Sequence, residues 1–137
     1  MPWAKSISEL TAQGVRGACY AHEVVRVRAG ANWDHLELVR EHAAPAYETY
    51  GWQLIGAFAT AMVNDDEVIL LWAIPTWKAW AEAERSARDD DKIVEWKRRA
   101  SDHVEQRHRI LLVDSPLSPL KIGRQPARSD QVDWSEE

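Results

Sequence analysis

At 137 residues, with 17 Lys and Arg against 22 Asp and Glu and a formal charge of -5, the chain is sized for one domain that buries roughly two thirds of its unfolded surface without disulfide or metal staples. That acidic balance argues against nucleic acid or an anionic membrane as the main partner, because both demand basic patches. The single Cys19 excludes an intramolecular disulfide framework and a thiolate metal cluster, no stretch approaches the roughly 18 apolar residues of a membrane span, and no apolar leader follows Met1, so a cytoplasmic location is expected.

Residues 1–18 read as an N-terminal arm, with capping-box spacing at Ser6-Ile7-Ser8-Glu9 and a helix of at most two turns ending at Gly14. Residues 19–28 alternate without helical period and are rich in Val, which predicts a strand. Asn32 is placed to cap the next helix, whose apolar stripe is Trp33, Leu36, Val39 or Arg40, Ala43, Tyr47 and Tyr50, with Pro45 predicting a kink or a tightened last turn and Gly51 the stop. Residues 52–62 lean to strand and join residues 68–74 through a turn at Asn64-Asp65-Asp66. Those seven uninterrupted apolar residues end at Pro75, too short for a helix and typical of a strand covered on both faces. Thr76 then caps a helix carrying Trp77, Trp80 and Ala81, and Asp89-Asp90-Asp91 opens another with Ile93, Trp96, Ala100 and Val104 as its stripe. Residues 108–113 form the last strand, and residues 117–137 a polar tail that Trp134 is placed to pin.

The order is strand, helix, strand, strand, helix, strand, the ferredoxin-like split βαβ arrangement with a four-stranded antiparallel sheet, class α+β. Right-handed crossovers put both helices on one face. The other face is left bare although residues 68–74 are apolar on both sides. If about 600 Å² of apolar sheet is at stake, at roughly 25 cal/mol per Å² the gain is on the order of 15 kcal/mol gross, against an association cost of about 4 to 15. A face-to-face homodimer is expected.

A family resemblance rests on these segments. Tyr20 ten places before Gly30, the run Glu41-His42-Ala43-Ala44-Pro45, then Tyr50-Gly51-Trp52-Gln53-Leu54-Ile55-Gly56-Ala57-Phe58, the stretch from Asn64 through Pro75, and Arg109-Ile110-Leu111-Leu112 to Ser118-Pro119-Leu120 resemble the NIPSNAP-like proteins over residues 20–120. The resemblance implies the dimeric α+β barrel. That superfamily includes cofactor-free monooxygenases, isomerases, cyclases and haem enzymes. Where the family usually opens its first strand Tyr-Glu-Leu-Arg, this chain has Tyr20-Ala21-His22-Glu23, so its site must be read from its own residues.

His22 and Glu23 are the candidate bases, two ionisable groups on a strand the topology places centrally. As neighbours on a strand they point to opposite faces and form no dyad. Glu23 shares its face with Ala21, Val25 and Val27; Tyr20 and Arg26 share the other with His22. If the His22 face looks toward the helices, Tyr20, His22, Phe58, Trp72 and Tyr47 line a cavity between sheet and helices, with Arg26 and with His42 at its mouth. The plain alternatives are core aromatics and, for His22 and Glu23, simple hydrogen bonding, with Glu23 paired to an arginine across the dimer. His35 and His42, seven apart, are two turns distant on one helix face, too far to share a metal, and His35 reads as a solvated flank. Asp89-Asp90-Asp91 lacks the spacing of a calcium loop, so neither metal nor cofactor is expected. Glycine-rich phosphate loops and a Gly-X-Ser-X-Gly elbow are absent.

Together these residues indicate a homodimer acting on a small, mostly apolar, cyclic or aromatic metabolite by cofactor-free proton transfer (isomerisation, cyclisation or elimination), with His22 or Glu23 as base and Tyr20 or His42 as donor. A non-catalytic binding or adaptor dimer is the alternative, and a cofactor-free or haem-dependent monooxygenase the third.

Overall fold

The apolar run before Pro75 is a strand in the computed structural model, which describes Glu9, Ala12 and residues 16–130. In chain order the elements are β1 (Cys19–Val27), α1 (Asn32–Leu38), a wide π turn (Val39–Ala43), α2 (Ala44–Glu48), β2 (Gln53–Ala59), β3 (Glu67–Ile74), α3 (Trp77–Ser86), α4 (Asp91–Ala100), β4 (Val104–Leu112) and a helical turn α5 (Pro119–Ile122). The sheet order is β2-β3-β1-β4, antiparallel throughout, as a ferredoxin-like α+β fold requires. Most of the predicted N-terminal helix, and Trp134 of the tail, lie outside the described residues.

Strand alternation decides which side chains meet the helices. Cys19, Ala21, Glu23, Val25 and Val27 of β1 are all buried, and Val68, Leu70, Trp72 and Ile74 of β3 pair beside them on the same face. Val39, Ala43, Ala46, Ala83, Ile93, Trp96 and Ala100 cover this face from the helix side. The opposite face carries Tyr20, His22, Val24 and Arg26, with Ile69, Leu71, Ile110, Leu112 and Phe58 beside them. Ile110, Leu112 and Phe58 are exposed in the single chain.

Local signals explain most boundaries. Thr76 accepts a hydrogen bond from the Ala79 N–H at 3.0 Å, and Asp90 accepts from the Lys92 and Ile93 N–H groups at 2.9 and 3.3 Å, so the expected caps of α3 and α4 form. Asn32 does not cap α1: Ala31 stands at that position, and Asn32 is buried inside the helix, its Oδ1 accepting from the Trp33 N–H at 3.0 Å. Pro45 produces no simple kink. A proline lacks the N–H for the preceding turn, and here that turn widens, the Ala44 N–H reaching back to the Val39 carbonyl. Gly51, at φ +85°, takes the left-handed conformation that ends α2 and turns Trp52 into the core. The expected stripe holds at Val39, Ala43 and Tyr47, with Leu36 and Tyr50 half-buried against the core, but not at its first member: Trp33 is 69% exposed while His35 is fully buried. On α3 the buried positions are Ala79 and Ala83, and Trp77 faces solvent.

Candidate functional site

Burying a carboxylate is costly unless charge and hydrogen bonds meet it, and Glu23, 3% exposed in the middle of β1, meets both. Register places Arg109 opposite it on β4 and Arg107 two residues further along that strand, opposite Val25. Glu23 Oε1 accepts from Trp72 Nε1 at 2.8 Å and from Arg109 Nη2 at 3.1 Å. Its Oε2 faces Arg107 Nε at 3.6 Å, an ion pair too long for a hydrogen bond. Arg109 is further anchored from α3, where Glu84 accepts from its Nη1 at 2.8 Å.

Aromatic rings wall this cluster. Tyr47 stacks on Trp52 with centroids 4.9 Å apart and leans on Trp72 at 5.3 Å, while Trp52 meets Trp72 edge-on at 6.2 Å. The Arg109 guanidinium lies 5.4 Å from the Trp52 ring and that of Arg107 5.8 Å from Trp96. Burial pulls Arg109 down, but the facing Glu23 carboxylate, then Tyr47 and Glu84, more than offset it, so its pKa lies above the ordinary arginine value. Burial raises the Tyr47 hydroxyl, with Arg109 opposing in part. Among the described residues the Nε atoms of Arg107 and Arg109 are buried without a hydrogen-bond partner, as is Nε2 of His35. Unpaired buried donors are uncommon, and two beside one carboxylate mark the site.

The structure divides the candidates read from the sequence into separate groups. Glu23, Tyr47 and Trp72 come together in this cluster. Tyr20, His22, Arg26 and Phe58 lie on the opposite sheet face, so the cavity expected to join His22 and Tyr20 to Trp72 and Tyr47 does not form: their alternation sends them away from the helices. The Tyr20 hydroxyl donates to Asp114 at 3.0 to 3.1 Å and accepts from the Gly17 N–H at 3.2 Å. Burial, first, and the Asp114 carboxylate push its pKa up to about 12. His42, half-buried, lines a surface groove of about 310 Å³ with Glu41, Pro45 and Glu95, remote in contact from Glu23. Cys19 is buried, and burial raises its thiol.

Sequence reasoning missed Arg107 and Arg109, which read only as part of an apolar strand's approach, and it missed His35. Far from being a solvated flank, His35 places Nδ1 2.8 Å from His103 Nε2, beside Trp96, with ring centroids 5.4 Å apart. A partner 68 positions away leaves no local pattern. Among the described residues no group of three His, Cys, Asp or Glu is arranged to hold a metal, and no helix is long and apolar enough to cross a membrane.

No family model matches the chain, and no curated protein matches it. Solved structures do. The chain is similar to a NIPSNAP family protein from Agrobacterium tumefaciens at a TM-score of 0.63 and 25% identity, over 74% of this chain and 97% of that one. It is similar to a NIPSNAP domain protein from Burkholderia xenovorans at a TM-score of 0.63 and 17% identity, covering 74% and 98%. A putative antibiotic biosynthesis monooxygenase from Nitrosomonas europaea aligns at 0.56 and 17% identity, covering 72% and 92%.

Proposed function

We propose that this NIPSNAP-like chain is a homodimeric enzyme that binds a small, largely apolar, cyclic or aromatic metabolite at the Glu23 cluster and moves a proton on it with side chains alone. The observation that carries the reading is the asymmetry of Glu23: two donors hold Oε1, while Oε2 keeps its capacity to accept. In the proposed step Oε2 takes a proton from a carbon next to a substrate carbonyl, and the C–H electron pair moves into an enolate. The adjacent guanidinium groups stabilise the oxygen that gains charge, and return of the proton to another carbon completes an isomerisation. Indole and phenol faces supply the apolar wall. Glu23 takes the base role; His22 moves to the proposed dimer face.

The dimer reading is supported by the exposed Phe58, Ile110 and Leu112 on the sheet face opposite the one covered by Val39, Ala83 and Ile93. A second copy of the same surface is self-complementary in a two-fold arrangement. A non-catalytic binding role is the second reading. It is favoured by the ion pairs around Glu23, which must loosen before Oε2 accepts a proton.

The compound carried through purification by the wild-type protein, identified by mass spectrometry and incubated in D2O, tests the reading. Deuterium enters it with wild type and not with Glu23→Gln. No incorporation with wild type removes catalysis and leaves binding; equal incorporation with Glu23→Gln removes Glu23 as the base.

A further inference from the structure

We propose that the groove between the last turn of α4 and β4 binds a carboxylate, so that the metabolite of the Glu23 cluster is an aromatic or cyclic carboxylic acid. The groove, about 390 Å³, is lined by Lys97, Ala100, Ser101, Val104 and Arg107. Two cations and no acid face it, in a chain with five more acidic than basic residues (22 against 17).

The pairing of the neighbouring cations sharpens this. Arg98 and Arg99 are satisfied by Glu95, at 2.6 and 2.8 Å. Arg109 is committed to Glu84 and Glu23. Arg107 is different: among the described residues its side chain makes no hydrogen bond, its Nε is buried without a partner, and its one ion pair, to Glu23, spans 3.6 Å. Lys97 has no ion pair among the described residues either. Two like charges facing one space, one without an ion pair and the other held only by the long contact to Glu23, repel unless an anion enters.

Arg107 is also preset. Its guanidinium lies 5.8 Å from the Trp96 ring centroid, a cation–π contact that holds it beside the groove, and its planar fork matches the two oxygens of a carboxylate. Val104 and Ala100 give the floor an apolar strip for the ligand's body. The groove lies at the carbonyl end of α4, whose dipole opposes an anion with about half an elementary charge, less than the two full charges of Lys97 and Arg107. That same end offers no helix N-terminal N–H groups, the donors that phosphate sites use, which favours carboxylate over phosphate.

This names the ligand of the proposed function and rests on that reading only in seating the ring against the aromatic cluster. The test is a titration of the full chain, followed by amide NMR shifts, with 3-phenylpropionate, its neutral amide and phenyl phosphate. The acid is expected to bind saturably with shifts at residues 97–107, and its amide about tenfold more weakly or worse. Lys97→Glu, a change on the exposed surface, should weaken the acid on the order of tenfold and leave the amide unchanged. Arg107→Gln should abolish acid binding and Arg107→Lys restore part of it. Equal affinity for acid and amide, no saturable binding of the acid, tighter binding of phenyl phosphate, or indifference to Lys97→Glu would each overturn the proposal. Acid binding at the groove without deuterium incorporation into the purified compound fails the enzymatic reading alone; incorporation that survives alongside indifference to Lys97→Glu fails this one alone.

Discussion

His35 Nδ1 and His103 Nε2 sit 2.8 Å apart, an imidazole pair joining α1 to the turn before β4, with one proton between the two nitrogens. The fully buried His35 is pushed down to about 3 by burial first, then by the His103 and Arg107 charges. His103 is also lowered, by burial and Arg28, with Asp102 and Asp34 opposing.

A folded-state value below the unfolded one means that acid favours the unfolded chain. The stabilisation is complete above the unfolded histidine value of roughly 6.5 and is lost as pH falls toward 3, at about 1.4 kcal/mol per pH unit for one proton. Thermal melts between pH 7 and 4 should show a steep fall for wild type and a shallower one for His35→Phe. Parallel curves would show that this pair does not set the acid limit.

Glu23→Gln keeps an oxygen for Trp72 Nε1 but leaves Arg107 and Arg109 without the carboxylate between them. Breaking a buried pair from one side costs on the order of 3 kcal/mol. Urea unfolding should record that loss. Arg109 keeps Glu84, so the fold should survive and the far-ultraviolet circular dichroism remain unchanged.

Ile110→Asp places a charge on the exposed sheet face without touching the core. Surface changes of this kind stay within about 0.5 kcal/mol for the single chain. Sedimentation at micromolar concentration should therefore turn a dimer into a folded monomer. A wild type that already sediments as a monomer would defeat the dimer outright.

Tyr20→Phe removes the hydroxyl that ties the Gly17 N–H to Asp114, the carboxylate that also holds Ser118 Oγ. A loss of about 1 kcal/mol is expected. Amide exchange should quicken around residues 17 and 114–118 and stay slow across β3.

The order of strands and helices was legible because each left a local mark: an apolar run stopped by Pro75, an Asn-Asp-Asp turn, caps at Thr76 and Asp90. The phase of β1 was not. Tyr20 and His22 on one side, Ala21 and Glu23 on the other, offer a mixed pattern, and a shift of one residue exchanges the two faces. Packing decides it: small Cys19 and Ala21 and branched Val25 and Val27 fit beneath helices, while Arg26 goes to solvent. Glu23 was legible as a buried acid, but its arginines depend on the β1–β4 register, which a sequence does not print. Trp33 and His35 were exchanged because local spacing takes no account of His103, a histidine contributed by another segment.

The π turn at Val39–Ala43 contains one residue more than regular winding requires, so its slack is already taken up and the downstream half of the helix is sensitive to a further insertion. One more residue there would swing α2 by about 100°. Tyr47 would leave Trp52 and Trp72, and the ring wall beside Glu23 would open with no substitution within it. Chain length in this short segment therefore positions the ring wall in its own right, and a chain longer by one residue here would carry Tyr47 elsewhere despite an identical set of aromatic side chains.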